Sequence, residues 1–66
     1  MFLVVGEIAV GKYKLLKLDK SKPRTAYSKY MIDGKSYEAV PVYDAPDNFI
    51  AIESSNSFIG QTVSFQ

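Results

Sequence analysis

Thr25-Ala26-Tyr27-Ser28-Lys29-Tyr30-Met31-Ile32-Asp33-Gly34-Lys35-Ser36-Tyr37-Glu38-Ala39-Val40-Pro41-Val42-Tyr43 is the stretch that decides the fold. Two β-prone runs, residues 25–32 and 35–43, flank Asp33-Gly34. An Asp-Gly pair in that setting supplies the two positive φ angles of a tight hairpin turn. A two-residue loop sets Lys29 against Glu38, Tyr30 against Tyr37 and Tyr27 against Val40. Such charge, aromatic and aromatic–branched pairs each contribute about 0.2–1 kcal/mol. Pro41 then intervenes: its position calls for an N–H aimed at the partner strand, and proline has none. The pairing must end, bulge or change partner near Val40–Pro41.

Reading toward the N-terminus, Lys22-Pro23-Arg24 belongs to a polar loop. Tyr13 to Leu18 alternates well enough for a strand. The same residues fit a short helix, but neither caps nor length support one, so strand is preferred. Gly11 reads as a turn residue, and residues 2–5 as a buried strand. Toward the C-terminus, residues 43–48 form a loop, Phe49–Glu53 a short strand, and residues 54–57 a loop leading into a single helical turn between Ser57 and Gly60. Residues 61–65 close the chain as a strand. The sum is one all-β domain over residues 1–66: a small antiparallel barrel or strongly curled sheet of five to six short strands, of SH3-like or OB-like size. The expected core is Leu3, Val5, Ile8, Leu15, Tyr30, Ile32, Val40, Val42, Ile50, Ile52, Val63 and Phe65.

Composition limits the chemistry. The chain has 66 residues, no Cys and no His, so disulfides, thiolate chemistry and the usual zinc ligand sets are excluded. Apolar burial must stabilise the fold, and 47% apolar residues with five Tyr and four Phe allow it. The longest apolar run, residues 1–5, is far below the ~20 residues of a membrane span. No basic region precedes it, so it does not read as a leader; a complete cytoplasmic gene product is the expectation. No cofactor or metal is called for, since Asp44 and Asp47 read as turn residues.

Net charge is +1, yet residues 1–35 carry net +5 and residues 36–66 net −4. In a sheet, strands from the two halves can interleave and mix these signs.

Two functional readings follow. Without a general base or thiolate, the chain reads as non-catalytic: an interaction or adaptor protein whose partner is another protein or a second copy of itself, with Tyr37, Pro41 and Tyr43 forming an aromatic groove. The alternative is single-stranded nucleic-acid binding through Lys12, Tyr13, Lys14, Lys22, Arg24, Tyr27 and Lys29, where cations track phosphates and rings stack on bases. A net charge near zero weighs against it. The two differ in space: the first needs an exposed uncharged groove, the second needs the cations on one face.

Overall fold

The computed structural model describes residues 1–22 and 28–65. Six strands make one antiparallel sheet: β1 (Phe2–Val10), β2 (Tyr13–Leu18), β3 (Lys29–Ile32), β4 (Lys35–Glu38), β5 (Phe49–Glu53) and β6 (Thr62–Phe65), in spatial order β4-β3-β6-β1-β2-β5. Among the described residues there is no helix, and hence none long and apolar enough to cross a membrane.

The Asp33-Gly34 hairpin forms in the expected register, with Lys29 opposite Glu38 and Tyr30 opposite Tyr37. Both turn residues have positive φ, 50° at Asp33 and 76° at Gly34. Tyr27 lies outside the described residues, so its pairing with Val40 does too. Val40 bridges Ala51 of β5. The Ala39 N–H still reaches back to Ser28 O at 3.1 Å, whereas the Val40 N–H crosses to Ala51 O at 3.2 Å. Successive residues thus face β3 and then β5, and Val40, just before Pro41, makes the bridge to β5. Among the described residues this bridge is the only ladder contact between β4's continuation and β5, and the sheet is not closed into a barrel.

β2 is a strand, joined to β1 through Gly11-Lys12, with Gly11 at φ 58°. The segment between Ser57 and Gly60 is not helical. It is a tight turn in which the Gln61 N–H donates to Phe58 O (3.1 Å), and Gly60 at φ 84° takes the chain out of helical conformation.

The core corrects the sequence reading at β1. Tyr30, Ile32, Ile50, Ile52 and Val63 are buried as expected, joined by Val4, Leu16, Leu18 and Phe58. Leu3, Val5 and Ile8 are exposed, while Leu15, Val40, Val42 and Phe65 are half-buried. β1 faces opposite to the expectation on both sides of a β-bulge. Val4 pairs with Leu18 and Gly6 with Lys17, leaving Val5 extra. A bulge shifts the in–out alternation by one. Val4 points inward before it; after it, Glu7 turns inward beside Leu16, and Ile8 and Val10 turn to solvent.

The aromatic residues form two packed groups. Phe65 contacts Phe2 (centroids 4.7 Å apart) and Tyr30 (5.5 Å, edge-on). Tyr37 meets Phe58 edge-on at 5.4 Å. Tyr30 and Tyr37 are thus opposite in register, but each takes its main ring contact elsewhere.

Candidate docking groove

The outer face of β1, β2 and β5 is apolar, because Ile8 and Val10 of β1 join Leu15 of β2 and Ala51 of β5 on it. Ile8 stands opposite Leu15, Leu15 opposite Ala51, and Ala51 opposite Val40, giving a row across four segments. Val10 and Tyr13 form the next row, beside the Gly11 turn. After the Val40 bridge, Pro41, Val42 and Tyr43 run past these residues. Asp44, at φ 59°, then turns the chain away. Between the segment and the sheet lies an open groove of about 420 Å3. Val10, Tyr13, Leu15, Pro41, Val42 and Tyr43 line it, and Asp44 is the one charged residue among the described residues that do. Tyr43 is 83% exposed and Ile8 and Val10 more than half exposed, so several large apolar side chains here are open to solvent.

A second hollow, of about 530 Å3, adjoins the first through Tyr13, Val40 and Pro41. Its walls come from Ser36, Tyr37 and Glu38 on one side and Glu53 on the other. The three residues singled out for protein binding are therefore divided: Tyr43 lies in the first hollow, Tyr37 in the second, and Pro41 in both. Tyr37 is half-buried against Phe58.

The residues of the nucleic-acid reading are dispersed where described. Tyr13 and Lys14 are adjacent on β2 and so point to opposite faces. Lys14 sits on the inner face, with 12% of its side chain exposed, and its Nζ lies 3.4 Å from Glu7 Oε2. Lys12 pairs with Glu53 at 3.4 Å, and its Nζ lies 5.4 Å from the Tyr13 ring centroid. That hydrogen bond and the carboxylate's charge hold Lys12 above its ordinary pKa. Lys29 is on β3, separated from β2 by β6 and β1, and stands opposite Glu38. Lys22 is half-buried at the end of the loop after β2, and Arg24 and Tyr27 lie outside the described residues. Strands of the basic and acidic halves alternate through much of the sheet, which mixes the signs.

Among the described residues no group of three carboxylates, histidines or cysteines could hold a metal ion. Sequence reasoning missed Ile8, Val10, Leu15 and Val42 as surface residues. The hairpin at Gly11-Lys12 was the available signal, because it pairs Ile8 with Leu15 and puts both on one face. Compared with models of known protein families, with curated proteins and with solved structures, the chain matches none.

Proposed function

We propose that this protein is a non-catalytic interaction module that docks an extended, apolar or proline-bearing segment of a partner protein in the groove between β2 and residues 41–43. The observation that carries the reading is the groove itself: an open apolar channel flanked by Tyr13 and the largely uncovered Tyr43. Extended proline-rich segments favour such aromatic walls, because they lose little entropy on binding and stack on flat rings. Large exposed apolar patches on small domains generally mark an interaction site.

The test starts from peptide display on the immobilised protein, followed by fluorescence anisotropy of the selected peptides. Tyr43→Ala removes a side chain that is 83% exposed, so the fold should be unaffected. Binding should nevertheless weaken by about tenfold, or about 1.4 kcal/mol, as expected for an aromatic anchor. Sedimentation run in parallel shows whether a second copy takes the groove instead. Failure of any peptide to enrich, or equal affinity for the wild type and Tyr43→Ala, would overturn the reading.

A further inference from the structure

A tyrosine and a carboxylate occur together at two places beside the groove. On the β2 side, Tyr13 stands opposite Glu53 in register. A cation completes that pair. Lys12 Nζ lies 3.4 Å from Glu53 Oε1 and 5.4 Å from the centre of the Tyr13 ring. On the opposite wall, Tyr43 and Asp44 are consecutive, both are exposed, and both line the groove. Among the described residues no cation pairs with Asp44, and none stands over the Tyr43 ring. The first place supplies its own cation, and the second leaves that position open.

Charge therefore narrows the occupant. Residues 41–44 follow in order from the Val40 bridge, so Asp44 ends the wall that Pro41, Val42 and Tyr43 begin. A segment lying in the groove meets apolar side chains along its length and one uncompensated carboxylate at that end. Its complement is an apolar stretch flanked by a single cation. Arginine suits the position better than lysine. A guanidinium is flat, so it can give two N–H groups to a carboxylate while its face rests on an aromatic ring. An ammonium makes a point contact and holds its water more tightly. Tyr43 is 83% exposed, which leaves its ring open to such stacking.

We propose that the segment bound in the groove carries an arginine beside its apolar or proline-bearing stretch, and that this arginine pairs with Asp44 and stacks on Tyr43. This rests on the reading of the groove as a peptide site, and it adds the charge of the partner and the residue that selects it. An exposed pair is weak in water, so Asp44 discriminates among segments rather than driving their binding.

The probe is a fluorescein-labelled peptide of about eight residues, spanning about 25 Å as a polyproline II helix, built of proline and valine with one arginine at an end. Two versions place the arginine at the N-terminal or the C-terminal end, which covers both directions of entry. In each, lysine or citrulline replaces arginine as a control, citrulline keeping the flat shape without the charge. By fluorescence anisotropy, in the better placement, the arginine peptide should bind about fivefold more tightly than the citrulline peptide, with lysine between them. The advantage should shrink as salt rises. Asp44→Asn should abolish the advantage and leave the affinity of the citrulline peptide unchanged. Asparagine tolerates the φ of 59° at this position as aspartate does, and amide spectra verify the fold.

Equal affinity of the arginine and citrulline peptides in both placements, or an advantage that persists in Asp44→Asn, would overturn this inference. The groove reading then stands if the citrulline peptide still loses affinity in Tyr43→Ala. Lysine binding as tightly as arginine would overturn the assignment of arginine and its stacking on Tyr43. Absence of binding to every peptide overturns both this inference and the groove reading.

Discussion

Glu7 is the residue on which the bulge has its largest chemical effect. Turned inward, its carboxylate accepts the Phe58 N–H at 2.8 Å and faces Lys14 Nζ at 3.4 Å. The Phe58 hydrogen bond holds its pKa below the ordinary 4.5; partial burial opposes this, and Ser57 and Lys14 assist it. A carboxylate with a depressed folded-state pKa stabilises the fold fully above its unfolded pKa. That stabilisation is lost as pH falls through the lower folded value. Glu7→Gln should therefore lower the urea midpoint at pH 7, and the difference from wild type should shrink as pH drops below 4.5. A difference that stays constant down to pH 3 would mean that the charge on Glu7 is not what holds the Phe58 loop. Gly34, at φ 76°, makes a second prediction at this scale. Gly34→Ala should cost about 1–2 kcal/mol by chemical denaturation, because an alanine Cβ is strained in that conformation.

At the scale of elements, the loop between β5 and β6 behaves as core. Phe58 is 2% exposed although it lies in no strand, and it packs on Tyr37 from β4. Phe58→Ala should cost about 3–5 kcal/mol, like a strand-core truncation. Ile59→Ala, at a half-exposed neighbour, should stay within about 0.5 kcal/mol. A Phe58→Ala cost under ~1 kcal/mol would show that the loop is not anchored. The hairpin makes its own prediction by hydrogen exchange: Tyr37, Ala39 and Val40 amides protected, Ser36 and Glu38 fast. Uniform protection along β4 would mean that its outer edge is already covered. Much of this was legible in the chain. Asp33-Gly34 is a local signal read from two residues, and it carried the register of β3 and β4. Pro41 lacks a donor whatever surrounds it, and β4 as a strand ends at Glu38, shortly before it. Phe58 was not legible, because Ser54, Ser55, Asn56 and Ser57 describe a polar loop and its anchor, Glu7, is 51 positions away. The bulge was hidden for a related reason: residues 2–5 are all apolar, so no alternation marks which of Val4 and Val5 is the extra one.

For the whole molecule, the described chain has a radius of gyration of 10.4 Å, close to the ~11 Å of a compact chain of this length. Such a small body has one interior, and everything apolar left outside it must be tolerated or used. The two faces of β1 and β2 can be told apart by substitution. Leu16→Ala and Ile50→Ala, at fully buried positions, should each cost about 2–5 kcal/mol. Ile8→Thr and Val10→Thr, at positions more than half exposed, should each stay within ~0.5 kcal/mol in the absence of partner. Costs of equal size on both faces would contradict the placement of the bulge. The groove itself was only partly readable. Pro41 and Tyr43 stood out by residue type, but the floor that Val10 and Leu15 give it exists only because three distant segments meet at Ala51.

The extra residue in β1 also bears on how this surface could change over time. Val5 acts as a phase shift in a two-beat rhythm: everything before it keeps one time and everything after it keeps the other. Removing that single residue would leave the beat of its neighbours intact: Val4 would stay opposite Leu18 and Gly6 opposite Lys17, now in an unbroken ladder, with Glu7 still inward and Ile8 and Val10 still outward. What would go is the bend and extra twist that a bulge gives a strand. A deletion between Glu7 and Val10 has no spare residue to draw on and would exchange the two faces of the strand beyond it. The length of β1 is therefore slack at Val5 and tightly constrained after it.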